Sequence, residues 1–266
     1  MSPAEIAARA LGIESRQVKS VEVLRDGLTN DSWLVRTSSD AVVVRVSNPH
    51  AHALQVDRLA EARILEFVHK AGIGPEVLLC DTQRHWLVTR YLGPTCSAAD
   101  LHDPGRIARL GALLQRLHSL SAPAGVEVVK WSSVMADYVA TLATLGRGDA
   151  LDAGLHDRAE ALVSELEATS DAQRLCHNDV HYLNLIDAES LRLIDWEYAG
   201  MGDPYFDLAS VVFYNELDID ERGRLLHAYQ GAANAHSFER LAKACVVFEY
   251  VHDLWHAVRN GIAGEA

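Results

Sequence analysis

The chain has 266 residues, 49% of them hydrophobic and 23% charged, with a formal net charge of −13. That length suffices for one large domain or two modest lobes with buried cores, and a field of that sign repels nucleic acid. No apolar run reaches the roughly 18 residues of a membrane span, and the N-terminus MSPAEIAARALGIESR carries acids without a long apolar core, so neither a membrane partner nor a secretory signal is expected.

Ser2 and Pro3 read as the N-cap and first turn of a helix. Strand patterns follow: QVKSVEVLRD alternates, DSWLVRTSS comes after a turn, and AVVVRVSN is a β-branched run. LQVDRLAEARILEFVHKAG, residues 54–72, has helical periodicity and a glycine stop at Gly72. PEVLLCD and RHWLVTRYL read as a further strand pair. Beyond GPTCSAAD the character changes. Asp103 and Pro104 open the periodic run GRIARLGALLQRLHSL, and further helices are expected over about 131–145 and 152–169. The strand LRLID ends on Asp195, and helices dominate from Phe206 onward. A small β-rich part followed by a larger helical part predicts a bilobal α+β enzyme with a cleft between its lobes, divided here as residues 1–92 and 93–266. The cysteines Cys80, Cys96, Cys176 and Cys245 are scattered without a C-x-x-C pair, which argues against disulfides or a thiolate metal site and fits a reducing cytoplasm.

Two segments concentrate the chemistry. LCHNDVHYLNL, residues 175–185, holds two histidines, two asparagines and an aspartate without the Gly, Pro or Ser of an ordinary loop. LRLIDWEYAGMGDPYFDLA follows shortly. Asp179 and Asn184 are five apart in the loop, and Asp195 closes the next strand. Phosphoryl transfer from ATP uses such a set: one carboxylate to take the proton of the attacking hydroxyl, and an amide oxygen and a second carboxylate to hold Mg²⁺ against the phosphates. The D-x-x-x-x-N spacing and the downstream acid match a kinase catalytic loop. A lone loop aspartate is more often a turn or cap residue, and the ordered pair of motifs is what argues otherwise. His177 and His181 are four apart, but no Glu follows His177 as in H-E-x-x-H; His177 is read as a hydrogen-bonding support of the loop, and His181 receives no role.

CHNDVHYLNL with LRLIDWEYAGMGDPYFDLA resembles the choline kinase and thiamine kinase group of the aminoglycoside phosphotransferase-like superfamily, over about Gly27 to Trp255. The resemblance implies the protein-kinase-like fold, ATP and Mg²⁺ as cofactors, and Asp179, Asn184 and Asp195 as catalytic, the last two on the metal. RDGLTNDSWLVR is similar to that group's phosphate-covering hairpin, with Asn30 and Ser32 as phosphate contacts. Arg45 stands where a kinase strand carries its cation, Glu61 matches the helix glutamate that holds it, and Arg58 shares the Glu61 face. Arg90, Tyr91 and Leu92 fall at the interlobe hinge, where backbone groups bind adenine. For the acceptor, HDLW resembles the group's W-x-x-W pair with His252 in the first place and Trp255 in the second. Tyr214 replaces a frequent acid, with Glu216 as a candidate substitute. Glu197 is placed with the acceptor residues and as a water-mediated aid to the metal. Asp207 is expected to bond the catalytic-loop backbone. The expected partner is a small cationic alcohol such as choline, ethanolamine or thiamine, held by cation–π contacts and acids. An aminoglycoside or sugar kinase of the same fold and a non-catalytic nucleotide-binding pseudokinase remain alternatives at this stage. A protein kinase is disfavoured by the lack of D-F-G and A-P-E.

Overall fold

The computed structural model describes residues 1–24, 30–47, 54, 56–121, 123–148, 152–170 and 173–264. Gly27, named above for the phosphate-covering turn, lies outside them.

Helix α1 (Pro3–Leu11) starts as its sequence dictates. Ser2 accepts the Glu5 N–H while Glu5 accepts the Ser2 N–H, and Gly12, at φ 67°, closes the helix in the left-handed region that suits glycine. The next strands are β1 (Ser20–Leu24), β2 (Asn30–Arg36) and β3 (Ala41–Ser47), then β4 (Val77–Asp81) and β5 (Trp86–Arg90) after helix α2 (Arg58–Lys70). They form one antiparallel sheet in the order β1-β2-β3-β5-β4. The β-branched alternation of Val42 and Val44 turns one face inward, where both join Ile6, Ala7, Val35 and Val88 in a core under α1. Helix α2 is shorter at its start than the periodicity predicts. Asp57 is extended and its carboxylate accepts the Leu59 and Ala60 N–H groups, so the chain turns helical only at Arg58.

The remainder is mainly helical: α3 (Pro104–His118), α4 (Trp131–Thr144), α5 (Ala153–Ala168), α6 (Tyr205–Tyr214), α7 (Ile219–Gln230) and α8 (Ala235–Ala263). Asp103 caps α3 through the Arg106 N–H, as its position before Pro104 predicts. Helices α3 and α7 approach closely at Gly111, where a Cβ would stand 2.7 Å from that of Ala228. Two short antiparallel pairs complete this part, β6 (Arg174–Cys176) with β9 (Gly200–Gly202), and β7 (Leu185–Asp187) with β8 (Leu191–Leu193); of these only β8 was expected, as the strand LRLID. The core does not stop at the sheet. Ile64, Leu65 and Val68 of α2 pack in one cluster with Leu114 of α3 and with Trp196, so the α2 side of the sheet is fastened to the segment carrying Asp195. Leu54 and Val56 join a second cluster built on α4, α5 and α8.

Candidate active site

Strand β6 delivers residues 177–181 into the interior, and the loop backbone would be unsatisfied there without partners. Asp207, at the first turn of α6 and fully buried, supplies them: Oδ2 accepts the His177 N–H at 2.9 Å and Oδ1 the Asn178 N–H at 2.6 Å. Ser210, one turn on, accepts the Val180 N–H at 2.8 Å. The Asp207 contacts are those expected from the sequence. His118 was not anticipated: its Nε2 lies 2.8 Å from Asp207 Oδ2 and its Nδ1 2.9 Å from the Tyr229 hydroxyl. Cys176 stands beside this pair with its thiol pushed up by burial, while His118 and the loop N–H groups engage both Asp207 oxygens in a hydrogen-bonded support. His177, also fully buried, reaches the Ile194 carbonyl through Nε2 at 2.9 Å and meets the Trp196 ring edge-on at 4.6 Å. Burial lowers its pKa, against the pull of Asp207 and Asp179. A neutral imidazole therefore ties the Asp179 loop to the Asp195 loop.

Asn184 ends a 3₁₀ turn (Tyr182–Asn184) and donates through Nδ2 to both the backbone oxygen and Oδ2 of Asp179, each at 2.9 Å. Spending both amide hydrogens in this way turns its Oδ1 outward from Asp179. Burial pushes the Asp179 carboxyl up, but the hydrogen bonds from His181 and Asn184 help to outweigh it, and the group is held below the ordinary aspartate range. It is an ionised base at neutral pH. Asp195 does not sit on the strand end as predicted. Strand β8 stops at Leu193; the Ile194 N–H still bonds the Asn184 carbonyl at 3.0 Å in the same register, and the chain then breaks away at Asp195, whose φ is 62°. Burial and the charge of Glu197 push its carboxyl up to about 7 against the attraction of Arg45. The carboxylates here outnumber the cations that face them.

Across from these acids the sheet and α2 present a buried ion network. Arg45 donates through Nη2 to Glu61 Oε2 at 2.6 Å and through Nη1 to Asp195 Oδ1 at 2.9 Å. Arg58 donates through Nη1 to Glu61 Oε2 at 2.8 Å and to Glu197 Oε2 at 2.9 Å. The expected Arg45–Glu61 pair thus forms, with Arg58 alongside. Asn30 is engaged at both ends of its amide: Oδ1 accepts from Arg58 at 2.8 Å and Nδ2 donates to Glu197 at 2.9 Å. Ser32 pairs directly opposite Arg45 in the sheet, which puts both side chains on one face. Glu197 departs from its expected place with the acceptor residues. It is 5% exposed and fastened to Arg58 and Asn30, because the turn after Asp195 folds its carboxylate back toward α2.

At the hinge the sheet already uses two of the three backbone donors: the Arg90 N–H bonds the Glu76 carbonyl and the Tyr91 N–H that of Ala41. The Arg90 side chain pairs outward with Asp40 and Glu76. Leu92 follows as the first residue beyond this pairing.

A row of rings leads away from Asp179 toward the residues expected to meet the acceptor. His181 packs on Tyr214 with centroids 4.8 Å apart, Tyr214 meets His252 at 5.5 Å, and His252 meets His256 at 4.4 Å. Trp255 stands against His256 at 4.8 Å and donates through Nε1 to the Tyr198 hydroxyl at 2.9 Å. Tyr198 was missed by sequence reasoning, although its place next to Glu197 in IDWEYAG was a signal. Glu216 does not substitute for the acid that Tyr214 replaces. It lies beyond the end of α6 at φ 49°, exposed. Phe248 joins the ring cluster through Tyr214, whereas Tyr250 turns to His156 on α5.

The chain is similar to several known proteins. Two LicA proteins of Haemophilus influenzae are 28% and 27% identical to it over 213 and 212 residues, 78% of this chain in each case; the chain spans 62% of the length of the first and 78% of the second. A thiamine kinase of Escherichia coli is 44% identical over 85 residues, 32% of this chain and 25% of the relative. Among solved structures, choline kinase LicA from Streptococcus pneumoniae shares the fold with a TM-score of 0.81 at 22% identity, over 98% of this chain and 91% of that one. A choline/ethanolamine kinase family protein from Mesorhizobium loti gives 0.72 at 28% identity, over 90% and 78%. Residues 20–242, from the first strand of the sheet into α8, match the profile of one family along with the loop of Asp179 and the network of Arg45, and the chain belongs to that family, the phosphotransferase enzyme family.

Proposed function

We propose that the protein is an ATP- and Mg²⁺-dependent kinase that transfers the γ-phosphate to the hydroxyl of a small cationic alcohol of the choline, ethanolamine or thiamine kind. What supports this above all is the meeting of Asp179, Asn184 and Asp195 with a strand arginine, Arg45, whose Nη1 lies 2.9 Å from Asp195. In the proposed reaction Asp179 takes the proton as the acceptor O–H breaks, the freed oxygen attacks the γ-phosphorus, and the bond to the β-phosphate oxygen breaks to release ADP. Arg45, held by Glu61, supplies a fixed cation to the phosphates.

The donor set suits Mg²⁺. Asn184 Oδ1 and the Asp195 carboxylate are hard oxygens, and burial, then the neighbouring Glu197 charge, pushes Asp195 up to about 7, a penalty on its ionised form that a divalent cation beside it would offset. When bound, the ion neutralises charge building on the phosphate oxygens. Residues 1–92 are assigned to the nucleotide and 93–266 to catalysis and the acceptor, with the Leu92 backbone as the adenine contact. Ser32 and Arg45 face the phosphates. Glu197 and Asn30 serve by holding Arg58.

A cationic acceptor is favoured by the surplus of carboxylates around Asp195 and by the rings running from Tyr214 through His252 to Trp255, whose faces attract a quaternary ammonium without needing an N–H donor. Relatives and neighbours are named for choline, ethanolamine and thiamine; choline and thiamine are alcohols with a permanently charged nitrogen, and ethanolamine is one with a protonated amine. Among the described residues no helix is long and apolar enough to cross a membrane. An ADP-release screen over choline, ethanolamine, thiamine, neutral sugars and kanamycin tests the proposal. Choline, ethanolamine or thiamine is expected to stimulate release most. Stimulation by sugars or kanamycin alone moves the function to the alternative acceptors, and ATP binding without turnover makes the protein a nucleotide binder.

A further inference from the structure

The sequence motifs leave His181 without a role, and the position it occupies is unusual for a cap. It is the N-cap of the 3₁₀ turn Tyr182–Asn184, where its Nδ1 accepts the Leu183 N–H at 3.3 Å. Capping alone is served by Ser, Thr, Asp or Asn. Imidazole differs in carrying a second nitrogen on the far side of the ring. With Nδ1 accepting, the neutral ring holds its proton on Nε2, and Nε2 lies 3.5 Å from Asp179 Oδ2. Asn184 Nδ2 meets the same oxygen at 2.9 Å. Two donors from opposite ends of one turn therefore converge on Oδ2. The backbone reinforces this, since the Asn184 N–H bonds the His181 carbonyl at 2.9 Å. The Tyr214 ring packs on the imidazole with centroids 4.8 Å apart. Both His181 and Asp179 side chains are less than one-fifth exposed, so a weak contact here is little screened by water.

We propose that His181 is a positioning residue for the general base: with Asn184 it holds Oδ2 of Asp179, so that Oδ1 is the oxygen presented to the acceptor hydroxyl. The 3.5 Å separation is at the long end for such a contact, as bonds to catalytic groups commonly are before substrate tightens them. Tyr214 is thereby reassigned from the acceptor to the support of the imidazole. Its buried phenol, raised in pKa by desolvation and then by the charge and hydrogen bond of Asp179, stays neutral beside that carboxylate and leans on it as well. The inference rests on the kinase reading above, in which Asp179 takes the proton.

Two conservative variants separate capping from positioning. His181→Asn keeps an acceptor at the capping place but cannot reach Asp179. His181→Gln reaches Asp179 with an amide N–H but gives up the cap. With choline, ethanolamine and thiamine as acceptors, His181→Asn is expected to keep its melting temperature and its KM for ATP and to lose about 10- to 100-fold in kcat, the size of a misplaced reacting group. His181→Gln should recover most of that loss whatever its melting temperature. Asp179→Ala should cost about 10²–10⁴-fold, and adding His181→Asn to it should change kcat by less than about twofold, because a residue acting only through Asp179 has nothing left to position. A His181→Asn enzyme with parental kcat, or a loss that persists undiminished beside Asp179→Ala, overturns the proposal while leaving the kinase reading intact. If the parent turns over none of these acceptors, the same variants are scored on ATP hydrolysis to water, which uses the same base. A parent with no ATP turnover overturns both.

Discussion

Glu61 is the most informative residue to remove. It is 3% exposed, and its Oε2 alone accepts from Arg45 at 2.6 Å and from Arg58 at 2.8 Å. Burial pushes its carboxyl up, but the two arginines more than offset this and hold it below the ordinary glutamate range, so the charged form is the one the fold uses. Removing one member of a buried ion pair typically costs about 3–5 kcal/mol, because the survivor stays buried without its partner. In Glu61→Ala each arginine keeps a second carboxylate, Asp195 for Arg45 and Glu197 for Arg58, both at 2.9 Å. The expected loss is therefore at the low end, about 3 kcal/mol, or a fall in Tm of roughly 6–12 °C for a chain of this size. Glu61→Gln keeps the shape and one acceptor oxygen and should lose less. The kinetic signature should be a raised KM for ATP, since Arg45 is released from its place beside the phosphates. Because Arg45 acts through the same contact, Arg45→Ala and Glu61→Ala should couple by at least about 1 kcal/mol in a double-mutant cycle on Tm and on kcat/KM. Strictly additive losses, or a Glu61→Ala enzyme that melts within about 2 °C of the parent, would refute the description of these residues as one clamp.

Further outcomes are expected elsewhere. Asp195→Asn removes an anionic oxygen from the proposed Mg²⁺ set, so activity should fall severely and the magnesium giving half-maximal rate should rise; an active enzyme with an unchanged magnesium curve rules the assignment out. Trp255→Leu should raise the acceptor KM about two- to thirty-fold with ATP KM nearly unchanged, and should weaken a charged acceptor more than its carbon isostere; equal effects on both make Trp255 a packing residue. Asp187 is held at a pKa of about 2, first by the Arg109 hydrogen bonds and also by Arg106. Its folded pKa is below its unfolded one, so its stabilisation is full above about pH 4 and is lost as pH falls through 2. Urea titrations from pH 5 to pH 2 should show this slope, and Asp187→Asn should flatten it; an unchanged slope shows that the pair contributes nothing to acid stability.

Much of this protein is local and was open to a reading of the residues in order. The caps at Ser2 and Asp103 act within three residues of themselves, and the β-branched run of β3 turns alternate side chains into one core. The loop of Asp179 and Asn184 was legible for the same reason, since five residues of a tight turn bring amide and carboxylate to 2.9 Å. Helix starts were harder than helix centres, as α2 shows, because periodicity extends through a cap that geometry ends. Strands of three residues such as β6, β7 and β9 are too short to display a period at all.

Only the tertiary structure decided which distant charges meet. Glu197 lies 139 residues from Arg58, and its engagement there, rather than with an acceptor, depends on where the chain returns after Asp195. The same holds for His118 under Asp207, 89 residues away, and for Tyr198 against Trp255, 57 away. Residue type and spacing state what a side chain is able to do within a turn or two. Which partner it finds across the fold is determined by how helices and sheet pack, because burial leaves each polar group to bond whatever donor or acceptor that packing brings within reach.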